Sequence, residues 1–217
     1  MSKILQKEIK KLETLVSTVS TKVEENLNLS IKSLMDNDAE LAKKTVMNDT
    51  EIDSLEIEVE EECLKILALH QPVAIDLRYI ISVLKINNDL ERIGDLGANI
   101  AEVSLLLSEK RQIVIPGQIP NMTKIVLKML KNCLDALFEK DVKIAKLVQK
   151  SDDIVDNYHS EMYKIVQKAF KENSNDIEQL FSILSVSRCL ERIADHCTNI
   201  AEDVEYLIEG RITRHNL

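Results

Sequence analysis

Apolar residues recur along this chain at helical spacing almost without a break. Near the start, Leu5, Ile9, Leu12, Val16, Val19 and Val23 step by 4-3-4-3-4, the seam of a long amphipathic helix over about residues 4–34. Asn37 or Asp38 supplies the N-cap of a second helix ending near His70. Pro72 fits the first turn of a third, where its missing N–H would have no intrahelical partner. The stripe of that third helix is Ile86, Leu90, Ile93, Gly97, Ile100, Val103 and Leu107. Beyond Pro116, Gly117 and Pro120 the pattern resumes. It predicts helices over about 122–138, 141–172 and 176–208, the last striped by Val186, Leu190, Ile193, Cys197, Ile200, Val204 and Leu207. Leu55 to Glu60 alternates apolar and acidic like a strand, but no turn residue bounds it, and it reads as helix.

The two halves are copies. Leu90 to Glu102 (LERIGDLGANIAE) and Leu190 to Glu202 (LERIADHCTNIAE) agree at 9 of 13 positions, at an offset of 100. Upstream, Asp38, Ala42, Lys43, Asp49, Asp53 and Glu58 recur as Asp141, Ala145, Lys146, Asp152, Asp156 and Glu161, at an offset of 103. The expected fold is therefore all-α: six helices forming two tandem, similar three-helix bundles. The first bundle is assigned to residues 1–112, the linker to 113–120 and the second bundle to 121–217. The long first helix, with its coiled-coil-like seam, suggests a homodimer.

Composition narrows the picture. Only 4 Gly and 3 Pro in 217 residues exclude a turn-rich β-sandwich or barrel. Aromatics at 3%, with no Trp, provide no stacking platform for nucleic acid, and a net charge of −9 repels its phosphates. No apolar run reaches the ~18 residues of a membrane span, so any membrane association is peripheral at most. The first residues have no apolar core of a secretory signal. Cys63, Cys133, Cys189 and Cys197 contain no C-x-x-C pair, and free thiols in a cytoplasmic protein are expected.

The acidic residues carry the chemistry. Each half has two acid pairs at i, i+4: Asp49/Asp53 and Glu91/Asp95, then Asp152/Asp156 and Glu191/Asp195. That spacing puts both carboxylates of a pair on one helix face. Asn99 and Asn199 extend the stripes of Glu91/Asp95 and Glu191/Asp195 by another turn. Antiparallel packing of the second and third helices of a bundle would gather four carboxylates and an amide at one seam. Carboxylates so close repel by several kcal/mol at intermediate dielectric. Residues 49–62 contain eight acids and no Lys or Arg, so bound divalent or trivalent cations are the natural relief. All-oxygen donors favour hard ions, with Fe, Mn or Mg ahead of Zn or Ca. His196, beside Asp195, could add a nitrogen in the second half only; His70, His159 and His215 read as surface or helix-end residues. Arg78 and Asp76 are expected to pair with each other or with a helix end. No Gly-rich phosphate loop, nucleophile elbow or Cys/His pair appears, so no catalytic residue or organic cofactor is assigned.

The doubled LERI-[GA]-D-x-x-x-NIAE motif, the matched D-x-x-x-D pairs and QPVAIDLR (Gln71 to Arg78) resemble the PhoU family over roughly residues 38–210. The resemblance implies two side-by-side three-helix bundles, with multinuclear metal clusters at the E/D-x-x-x-D pairs named above. It also implies a cytoplasmic, non-enzymatic negative regulator of the phosphate-starvation response. Such a protein modulates uptake by contacting the ATPase subunit of the high-affinity phosphate ABC transporter and a sensor histidine kinase. A carboxylate-bridged metalloenzyme and a plain helical dimeric scaffold are the alternatives. The second half departs from the pattern: it has Asp176-Ile177-Glu178-Gln179 in place of QPVAIDLR, and Arg188 where the first half has Asn88.

Overall fold

The computed structural model describes residues 3–110, 113–172 and 175–211. Within them lie six α-helices: α1 (Lys3–Asp36), α2 (Ala39–His70), α3 (Ala74–Ser108), α4 (Gln118–Glu139), α5 (Val142–Lys171) and α6 (Ile177–Glu209). Helices α1–α3 form one bundle and α4–α6 the other, and α3 packs along α6 to join them. The alternating stretch at Leu55–Glu60 is helical, with Val59 in the core.

Local chemistry repeats where the sequence does. Asn37 closes α1 in the left-handed region (φ 52°), and Asp38 caps α2 by accepting from the Leu41 N–H at 2.9 Å. Lys140 (φ 55°) and Asp141, which accepts from the Lys143 N–H at 2.7 Å, do the same between α4 and α5. A carboxylate at this position satisfies an N–H that the first helical turn leaves without a carbonyl.

Ion pairs set the registers. Lys11 meets Glu62 at 2.6 Å and Lys65 meets Glu8 at 2.7 Å, so α1 and α2 run antiparallel. Asn87 donates to the Glu56 carbonyl at 2.9 Å, fixing α3 against α2 in the opposite sense. Between the bundles, Lys85 faces Asp203 at 3.3 Å and Asp89 faces Asn199 at 3.2 Å, so α3 and α6 are also antiparallel. Gly97 lets α3 approach α1 closely: a Cβ there would lie 3.7 Å from the Leu27 Cα.

The seam of α1 faces inward: Leu5, Leu12, Val16, Val19 and Val23 are all buried within the first bundle. Two expectations are corrected. Pro72 is not in the first turn of α3, which starts at Ala74; it lies in the connection, buried, two residues upstream. The fourth helix starts earlier than the expected residue 122. Gln118, Ile119 and Pro120 begin α4, drawn in by the complete burial of Ile119, and a proline is tolerated there because first-turn N–H groups lack partners anyway. His215 lies outside the described residues.

Candidate metal centre

In the first bundle the antiparallel register of α2 and α3 brings three acids together. Carboxylate oxygens of Asp49, Asp53 and Asp95 all lie within 4.8 Å of one another, the only such group of three among the described residues. Asp53 is exposed while Asp49 and Asp95 are half-buried, so the group opens to solvent on one side. The close approach depends on Gly94. A Cβ at that position would lie 3.2 Å from Asp49 Oδ1 and 3.2 Å from Ile52 Cγ2. Ala194 occupies the matching place in α6.

Electrostatics mark the same spot. Burial, then the charges of Asp53, Asp95, Glu91 and Glu102, push the Asp49 carboxyl up to about 6. Its Oδ1 is shielded from solvent and has no hydrogen-bond partner. Burial and then Asp95 raise Glu91, against the pull of Arg92. Arg92 is the local counterion, 3.0 Å from Asp95 Oδ2 and 3.3 Å from Glu91 Oε2. A single guanidinium facing this many carboxylates leaves the site strongly negative. Asn99 is exposed one turn beyond Asp95.

The second bundle repeats the arrangement with altered surroundings. Burial, then Asp195, Asp156, Asp153 and Glu191, push Asp152 up to about 6, and its Oδ1 is likewise buried without a partner. Burial and then Asp156 raise Glu191, while Arg188 and Arg192 lower it. Burial, Glu191 and Asp156 raise Asp195. The four acids therefore influence one another, but two arginines serve them where the first site has one.

Two expected donors have partners in the other bundle. Asn199 donates to Asp89 at 3.2 Å, and His196 Nδ1 lies 2.8 Å from the same carboxylate oxygen. Both side chains reach across to α3 and tie the bundles together, because the antiparallel α3–α6 crossing puts an acceptor opposite them. His159 also has a structural partner, with Nδ1 2.7 Å from Ser187 Oγ and its ring edge-on to Tyr163. Burial and then Arg188 hold its pKa below the usual histidine value.

Gly94 and Glu102 were missed as site residues. Glu102 lies one more turn along the Asp95–Asn99 stripe and contributes to the field at Asp49. It was visible as the last residue of the repeated motif. Gly94 stood inside that motif too, but only the α2–α3 crossing shows why a side chain would intrude.

The donors fit a hard cation. Two buried carboxylate oxygens without partners belong to Asp49 and Asp152, whose carboxyls burial and neighbouring acids push up to about 6, and a cation ligated there would relieve both conditions.

The chain matches a family model described as the PhoU domain twice, over residues 16–104 and 119–204. It is similar to the phosphate-specific transport system accessory protein PhoU homolog 1 of Thermotoga maritima, 36% identical over 95% of this chain and 89% of the relative. The Escherichia coli phosphate-specific transport system accessory protein PhoU is 29% identical over 96% of this chain and 86% of its own. The crystal structure of PhoU from Pseudomonas aeruginosa superposes with a TM-score of 0.91 at 33% identity, covering 95% of this chain and 99% of that one.

Proposed function

The chain belongs to the PhoU family, and from that premise we propose that it is an accessory protein of a phosphate transport system that acts as a negative regulator of the phosphate-starvation response. It modulates uptake and carries phosphate sufficiency from the transporter ATPase to a sensor histidine kinase, working in the cytoplasm through contacts rather than turnover. Its carboxylate seams hold divalent or trivalent metal ions, with Asp49, Asp53, Glu91 and Asp95 as donors in the first bundle and Asp152, Asp156, Glu191 and Asp195 in the second. A bound cation would clamp two helices of a bundle and set the charge of the face it sits on.

The convergence of Asp49, Asp53 and Asp95 around a buried, unpartnered oxygen carries the metal part of this reading. A non-enzymatic role is supported by the Ser187–His159 contact. Ser187 is fully buried and also lies 3.5 Å from Met122 Sδ, so that pair presents no nucleophile to solvent. No helix among the described residues is long and apolar enough to cross a membrane.

Elemental analysis of protein purified without chelator tests the site. Two or more ions per chain are expected, and their loss when Asp53, Asp95, Asp156 and Asp195 are all changed to Ala. No metal in either sample would refute the assignment. Retention of the transporter ATPase or the kinase on the immobilised chain tests the regulatory role, and failure to retain either would refute it.

A further inference from the structure

We infer that the end of the first bundle built by the start of α1, the last turn of α2 and the loop into α3 is the docking face for a protein partner that presents an apolar stripe flanked by acids. The inference rests on the reading that this protein works by partner contacts, and it assigns those contacts a place.

Five large apolar side chains stand exposed there: Ile4 at 64%, Leu69 at 67%, Val73 at 73%, Ile75 at 61% and Leu77 at 40%. They come from three segments yet share one end of the molecule. Leu69 to Leu77 span the α2–α3 junction, and the Glu8–Lys65 and Lys11–Glu62 register sets Ile4 opposite Leu69. An exposed apolar group of this kind marks an interaction surface far more often than a single exposed leucine does.

The loop that carries Val73 and Ile75 is held, not slack. Gln71 (φ 44°) and Ala74 (φ 52°) both occupy the left-handed region that non-glycine residues avoid. Gln71 caps α2 through its N–H to the Leu67 carbonyl, the Asp76 N–H bonds the Val73 carbonyl at 3.2 Å, and Pro72 is buried beneath. Further along the same block, the Arg78 guanidinium lies so close to Gly210 that a Cβ there would clash with it. A loop held in one conformation that points its apolar side chains outward is preorganised for a partner. The second repeat joins α5 to α6 without this block, so the repeat fold itself does not require it.

The rim identifies the partner. Lys3, Lys7 and Lys10 form an exposed i, i+4, i+7 stripe on α1 beside Ile4, and none of them pairs with an acid among the described residues. Glu8, the acid between them, is engaged by Lys65. A basic rim on a chain of net charge −9 attracts an acidic surface and steers its approach. Two copies meeting through this end would oppose lysines to lysines.

The test measures binding of the full chain to the purified transporter ATPase subunit and to the cytoplasmic part of the kinase. The variants are Val73→Asp with Ile75→Asp, and Lys7→Glu with Lys10→Glu. Because these side chains are exposed, melting temperatures should be unchanged and confirm folding. The apolar pair should weaken binding at least tenfold, and the lysine pair several-fold with a flatter salt dependence. Wild-type affinity in both variants overturns the face while leaving the regulatory reading intact. A wild-type chain that binds neither protein removes that reading and this inference together. Sedimentation with vesicles containing 30% phosphatidylglycerol, or a dimer in solution, abolished by the Val73/Ile75 change would assign the face to lipid or to a second copy and overturn the protein partner.

Discussion

The Asp49 carboxyl offers the sharpest check on the site, because its effect on stability should reverse sign with metal. Burial and four neighbouring acids carry it from an ordinary 3.8 to about 6. Below pH 3.8 it is neutral folded or unfolded and contributes no difference. Between pH 3.8 and about 6 the unfolded chain ionises while the native state keeps its proton, so native stability falls as pH rises and is lowest above 6. At 1.4 kcal/mol per pH unit the full effect is ~3 kcal/mol. Asp49 is only half-buried, so solvent screening reduces this to roughly 1.5 kcal/mol. Asp49→Asn removes the charge with little change of shape. In chelator at pH 8 the variant should melt about 3–6 °C above the parent, at roughly 2–4 °C per kcal/mol for a chain of this size. The gain should vanish at pH 4. With saturating Mn2+ the order should invert, since the ionised carboxylate is then a ligand and a cation at a hundred times its Kd stabilises by ~2.7 kcal/mol. Thermal melts of both proteins, with and without metal at pH 4 and pH 8, decide the matter. An Asp49→Asn protein less stable than the parent in chelator at pH 8 would refute the picture of an unrelieved buried charge.

Three further outcomes are expected. Burial alone would raise Glu62, but hydrogen bonds from Lys11 and then Lys65 bring it down to about 2, so its stabilisation is present above about pH 4.5 and lost as pH falls toward 2. Glu62→Gln should flatten that part of the acid melt and lower neutral-pH stability by on the order of 2–3 kcal/mol, read from urea unfolding. Gly210→Ala should destabilise by about 1 kcal/mol in the same assay, since Gly210 closes α6 at φ 70°, a conformation that costs a side-chain-bearing residue. Arg188→Asn with His159→Glu, which copies the first site's Asn88 and Glu56 into the second, should tighten Mn2+ binding there several-fold by calorimetry. Unchanged affinity would mean that those two side chains do not set the charge of the site.

Much of this architecture was legible in the residues. Helical periodicity gave six helices, the acid pairs landed on the faces that meet, and Asp38 and Asp141 cap as their residue type suggests. Periodicity fixes which residues share a face, not which neighbour that face meets. The seam of α1 is consistent with either a dimer or a bundle, and its residues lie in the bundle core. His196 and Asn199 sit beside an acid pair in sequence, yet Asp89, 107 and 110 positions away, takes them both. Gly94 looks like any small residue in a helix until α2 crosses it.

The repeat copied a backbone, not a pair of equal sites. Both bundles keep a partnerless buried oxygen, Asp49 Oδ1 or Asp152 Oδ1, at the point where two helices bring acids together. What surrounds that oxygen has diverged. At the offset of 103, Glu56 becomes His159, and at the offset of 100, Asn88 becomes Arg188, so an acid is lost and a base gained at the second site. Gly94 becomes Ala194, and the three-carboxylate convergence within 4.8 Å is found at the first site alone among the described residues. Coulomb repulsion scales with the charges assembled, and a cation is bound most tightly where it relieves the most repulsion. Two sites on one scaffold that differ by roughly two charges would then fill at different metal concentrations. The pseudo-symmetric molecule is therefore electrostatically polar, its more negative seam in the same bundle as the exposed apolar end.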